Sequence, residues 1–150
     1  MAITSFRGRW AKLGNYSPCL VFYDGHAYQS VQHAYQAQKS NDPAIQKMIR
    51  DATGPAAAKK VARAVQLRQG WDNIKGPLML DLLREKFVQE PERSILLSTG
   101  EEELVEGNWW HDNYWGDCRC GVRPACNAVG ENMLGKLLMQ VREELRANPA

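Results

Sequence analysis

No stretch of the 150 residues is apolar for anything near the roughly 18 residues that a membrane-spanning helix needs. The opening MAITSFRGRW lacks the apolar segment of a secretion signal. Neither sign of charge dominates: 19 basic and 17 acidic residues leave a formal charge of +2. That balance argues against a dedicated duplex-binding protein, which carries a basic face, yet leaves a small phosphate-bearing substrate open. The chain shows no repeat, no low-complexity tract and no linker, so residues 1–150 are expected to form one domain. A chain of this length can bury roughly 70% of its unfolded surface.

Cysteine is scarce, with four residues, Cys19, Cys118, Cys120 and Cys126. Without a secretion signal they are expected to be reduced thiols in a cytoplasmic protein. A zinc site from His111, Cys118, Cys120 and Cys126 comes to mind. The spacing C-x-C-x5-C, however, lacks the C-x2-C pairs that make such a reading strong. The sequence is therefore read without a metal and without a cofactor.

Helical patterns dominate what is present. Asp24-Gly25 between two β-prone runs predicts a hairpin. Ser30 is placed to cap a helix over SVQHAYQAQK, which ends at Asn41-Asp42. Pro43 opens a second helix with a stripe of Ile45, Met48 and Ile49. Gly54-Pro55 precedes a third, AAAKKVARAVQL. WDNIKGPLMLDLLREKF places Trp71, Ile74, Leu78, Leu82 and Leu83 on one side of a fourth. Pro91 begins a short helix closed by Thr99-Gly100, Glu103–Glu106 reads as a strand, and residues 107–132 as an aromatic-rich loop. NMLGKLLMQVREELRA ends the chain as an amphipathic helix. The expected class is α+β, mostly α-helical with a few short strands.

Two segments carry the chemistry. In SVQHAYQAQK, Gln32, Tyr35, Gln36 and Lys39 share a face that is polar and aromatic instead of aliphatic. In the loop, Trp109, Trp110, Tyr114 and Trp115 surround Asp112; singly each suits a satellite core, but together they offer flat faces for a base.

These residues bring a resemblance into view. Leu13-Gly14-Asn15-Tyr16, SVQHAYQAQK, Trp71-Asp72, Glu85-Lys86-Phe87, Leu97-Ser98-Thr99-Gly100, LVEGNWWHDNYWG and NMLGKLLMQVR follow one another in that order. Together they resemble the NADAR domain family over about residues 6–145, whose patterns run roughly LSNF, S-x-E-H-x-x-Q-x-x-K, KF, TG, LVE…D-x-x-WG and N-x-LG-x-x-LM-x-x-R. The resemblance implies an N-glycosidase acting at C1 of a phosphate-bearing ribose joined to an exocyclic amine. Some relatives of that kind cleave phosphoribosylamino intermediates of riboflavin synthesis, and others remove ADP-ribose from guanine in nucleic acid. The expected partner is ADP-ribose or ADP-ribosylated guanine carried on nucleic acid, with no membrane and no protein partner indicated.

Gln32 departs from the family pattern, which has glutamate there. A glutamine cannot ionise, so it serves neither as a base nor as a counter-charge to an oxocarbenium ion. Two explanations fit, a variant made to trap a ligand or a natural member with altered activity, and both predict weak or absent turnover. Lys39 is expected either to attack C1 as a Schiff-base nucleophile or to contact phosphate or carboxylate. Asp112 matches the acid before WG and is expected to be catalytic or ribose-binding, with an Asx turn as its alternative. Gln32, Lys39 and Asp112 thus form the catalytic set.

Arg7, Arg9 and Trp10, close to Asn15, are expected to meet a pyrophosphate and adenine. Tyr35, Gln36, Trp71 (core with one edge in the site), Trp115 and Gly116 complete the binding set, Gly116 by letting backbone approach the ligand. Asn132 is expected to cap the last helix or to fix Asp112. Glu106 is open between pairing with a buried arginine and touching substrate. A module that holds ADP-ribose without cleaving it is the competing function, and Gln32 favours it.

Overall fold

The computed structural model of the chain describes residues 2–149. Strands β1 (Val21–Tyr23) and β2 (His26–Tyr28) pair antiparallel, with Val21 opposite Tyr28. Asp24 and Gly25, at φ 50° and 79°, form the two-residue turn that hairpins of this length favour. Helix α1 (Val31–Ala37) follows, and the Ser30 side chain accepts from the His33 amide as expected. Asp42 caps α2 (Pro43–Arg50) by accepting from the Ala44 amide. Helix α3 (Pro55–Arg63) is shorter than its sequence pattern. After it the chain leaves helical geometry, and the Arg68 amide donates to the Lys39 carbonyl. In α2 only Ile49 is fully buried and Met48 is exposed, so the expected three-residue stripe is narrower.

Helix α4 (Trp71–Phe87) buries Trp71, Leu78, Leu82 and Leu83 as the periodicity predicts, with Ile74 half-buried. Helix α5 (Glu92–Ser98) and helix α6 (Met133–Ala147) agree with their patterns. The expected strand over Glu103–Glu106 reduces to one isolated bridge, Ile3 to Leu104. The Glu106 amide that would extend it is instead taken by the Asn132 side chain. Strand β3 (Gly107–Asn108) lies just beyond and pairs in parallel with β4 (Asp117–Cys118). The aromatic loop is therefore pinned by these two strands and by a 3-10 turn, Pro124–Asn127. A second 3-10 helix, Gly8–Leu13, has no periodic signal in the sequence.

The chain divides into two compact units, Asn15–Lys86 and Met1–Gly14 with Phe87–Ala150. The first packs α1 against α2, α3 and the hairpin, around Val31, Ala34, Ala37, Ile49 and Ala58. The second packs α5 against α6 and the 3-10 helix Gly8–Leu13, around Leu13, Leu96, Leu104, Leu134 and Leu138. Buried Arg142 holds that second core by donating to Thr99 Oγ1 and to the Glu102 carbonyl.

Candidate active site

In the Asn15–Lys86 unit, every residue of α1 is buried, so the polar face raised by the sequence is not solvated surface. His33 explains its own burial. Its Nε2 lies 3.1 Å from the Ala52 carbonyl, which can only accept, so Nε2 carries the proton. Nδ1 then accepts from the Ser30 hydroxyl at 2.7 Å. This histidine is a satisfied structural group.

The neighbouring face is different. Gln32 and Gln36 are 6% and 3% exposed, and Gln36 Oε1 has no hydrogen-bond partner. Asn15 accepts the Gln32 amide on its carbonyl, while its own buried Oδ1 is also unpartnered. A buried acceptor without a partner costs roughly 1–3 kcal/mol, and a ligand donor would relieve it.

Tyr35 and Trp71 meet at 5.3 Å between ring centroids and close one side. Lys39 stands over the Tyr35 ring with its ammonium 5.5 Å from the centroid. Burial pushes the Lys39 pKa down, and the positive charges of Lys59, Arg63 and Lys75 push it the same way. An amine so placed is more often neutral than an ordinary lysine, which is what nucleophilic attack on carbon needs. The same cations favour a phosphate nearby.

The second unit holds a carboxyl pair. Asp112 Oδ1 accepts from the amides of Tyr114 and Trp115, at 3.1 and 2.9 Å, so the expected Asx-type turn is present. Asn108 braces it, accepting from the Asp112 amide and donating to its carbonyl. Glu106 is the strongly perturbed acid. Burial first, and then the Asp112 charge, raise its pKa to about 7, while Arg7 acts in the opposite sense. Arg7 also covers the exposed Trp109 ring at 3.5 Å.

Asn132 neither caps α6 with its side chain nor fixes Asp112, correcting both expectations. Its Oδ1 accepts the Glu106 amide and its Nδ2 donates to the Leu104 carbonyl, so it holds the Glu106 backbone. The missing Cβ of Gly116 is used within the chain: a Cβ there would lie 2.2 Å from the Glu106 carbonyl oxygen. Its close approach is to Glu106, which accounts for the glycine without a ligand.

The NADAR domain family model matches residues 7–146, nearly the whole chain. The chain belongs to the NADAR family. An N-glycosidase from Nostoc punctiforme is 41% identical over 88% of this chain and 83% of its own length. A riboflavin biosynthesis protein from Vibrio vulnificus is 38% identical over 89% of this chain, which spans only 35% of that larger protein. The NMR structure of the E. coli protein YbiA superposes with a TM-score of 0.82 at 32% identity, covering 99% of this chain and 86% of that one. The α+β fold of this NADAR chain, helix-rich with two small sheets, is thus shared with YbiA.

Within this NADAR domain, Asn15, Gln32, Tyr35, Gln36, Lys39 and Trp71 belong to one unit. Arg7, Arg9, Trp10, Asp112, Trp115, Gly116 and Asn132 belong to the other. Arg7, Arg9 and Trp10 line a surface cleft of about 730 Å³ with Ser98, Thr99 and the acids Glu101 and Glu102. Arg9 stacks over Trp10 at 4.4 Å. Trp115 packs edge-on against Tyr114, 4.8 Å between centroids. Glu106, undecided in the sequence, emerges as the most perturbed acid of its unit. The buried Arg142 bonds Thr99 and Glu102 instead of pairing with it. The sequence offers only a weak signal for it, two apolar residues, Leu104 and Val105, directly before the acid.

Proposed function

We propose that this chain is an N-glycosidase cleaving the bond between a ribose C1 and an exocyclic amine, with Lys39 as nucleophile. The observation that carries this is the buried polar face of α1, where Lys39 stands over Tyr35 beside glutamines, one of which buries an acceptor without a partner. Opening of the ribose ring breaks C1–O4′, passes the proton of the substrate amine to O4′ and leaves an imine between C1 and that nitrogen. Neutral Lys39 adds to C1, and the resulting aminal expels the substrate amine, which leaves with a proton. Water then adds to the Lys39 imine and releases the sugar as an aldehyde, restoring the free lysine. No redox partner is required.

Within its own unit, Glu106 keeps its proton up to about pH 7 beside the charge of Asp112, the state that a general acid needs. Gln32 contributes a hydrogen-bonding amide without charge, so turnover is expected to be slow in this chain.

For the substrate we favour ADP-ribosylated guanine. The cations around Lys39 suit the phosphorylated sugar of such a substrate. A second reading, phosphoribosylamino intermediates of riboflavin synthesis, is favoured by the name of the Vibrio relative. The test is to incubate the chain and its Gln32→Glu variant with both substrates. Release of ADP-ribose from guanine, faster in the variant, is expected; cleavage of the phosphoribosylamino compound alone would transfer the assignment to the second reading. Calorimetric binding of ADP-ribose with no cleavage by either form would make the chain a reader and overturn the proposal.

A further inference from the structure

We propose that His111, Cys118, Cys120 and Cys126 bind one zinc ion that staples the aromatic loop. One ligand atom from each of these four residues lies within 4.8 Å of all the others. The spacing that made the sequence reading weak is resolved by folding: Cys118 lies on β4, Cys120 just beyond it and Cys126 on the 3-10 turn. His111, before Asp112, supplies Nδ1.

The distances favour an ion over hydrogen bonding. Zn–S bonds of about 2.3 Å and Zn–N bonds of about 2.0–2.1 Å in a tetrahedron put nitrogen and sulfur about 3.6 Å apart. His111 Nδ1 lies 3.4, 3.5 and 4.0 Å from the sulfurs of Cys120, Cys126 and Cys118. All three thiols are free of disulfides. Groups outside the donor set are already turned to the sulfurs, with the Val122 amide 3.5 Å from Cys120 Sγ and Asn113 Nδ2 3.4 Å from Cys126 Sγ. Amide donors of this kind hold and tune thiolate ligands.

A tetrahedron of three thiolates and one imidazole suits zinc better than the other common divalent metals. Four protein ligands leave no open position, so the ion is structural. The loop needs such a staple, because from Gly107 to Asn132 the chain has only two 2-residue strands and one 3-10 turn. The ion substitutes for a core there, and it fixes the residue next to Asp112.

The test uses tag-free full-length chain. Elemental analysis should give one zinc per chain. After chelation, cobalt(II) should give thiolate-to-metal charge transfer and the intense visible bands of a tetrahedral site. With zinc bound, one thiol, Cys19, should react rapidly with a disulfide reagent; after chelation, four should. Cys120→Ser and His111→Ala should lose zinc, and Cys19→Ser should keep it. A chain that takes up no zinc, a pale octahedral cobalt spectrum, or four thiols equally reactive with and without zinc would overturn the proposal. Those readings on the unaltered chain decide it even if a variant fails to fold.

Discussion

Lys39 and Glu106 are each half-buried and each faced by charge of its own sign. For Lys39 the charges that act are all positive, from Lys59, Arg63 and Lys75. For Glu106 the like charge of Asp112 is partly offset by Arg7. One unit thus favours a neutral amine and the other a neutral acid, by the same two physical causes applied to opposite groups. The surroundings differ as well: Lys39 borders a helix face with orphaned acceptors, whereas the backbone about Glu106 and Asp112 is bonded on several sides.

Removing the amine should have the largest effect. Lys39→Met is expected to lower kcat by roughly 10⁴-fold or more, as loss of a nucleophile does; single-turnover kinetics measure it, and retention of rate would break the comparison at its first member. Gln32→Glu should raise kcat by about 10²–10⁴, the range for one positioned acid–base group. Glu106→Gln should lower kcat by about 10²-fold and remove an inflection near pH 7 from the pH–rate profile.

The same substitution sharpens the comparison through stability. Because its folded pKa is about 7 against an ordinary 4.5, Glu106 keeps its proton in the folded chain where the unfolded chain has released it. Stability should therefore fall as pH rises from 4.5 to 7 and stay level above, by at most on the order of 3 kcal/mol. Glu106→Gln should flatten that fall in denaturant titrations across the window. Trp109→Ala is the smallest change: losing the ring under Arg7 should cost about 0.5–1 kcal/mol, read as a small shift in the urea midpoint.

The helices were legible because burial needs a periodic stripe, and Trp71, Leu78, Leu82 and Leu83 supply one. The end of α3 was not, because the chain just beyond it is held by long-range bonds from Arg68 to the Lys39 and Gln38 carbonyls. The polar face of α1 could be located but not judged, since the pattern cannot say whether Gln32 and Gln36 meet water or protein. Glu106 and Asn132 were less legible for a similar reason: their partners, Asp112 and the Glu106 amide, are close in space through loop folding that no local rule encodes. Cys118, Cys120, Cys126 and His111 converge by the same means.

Borohydride reduction during turnover, followed by peptide mapping, addresses Lys39 most directly. A ribosyl adduct on the peptide carrying Lys39, absent from Lys39→Met, is the predicted result. Active turnover that leaves that lysine unmodified, or an adduct on a different lysine, would contradict it.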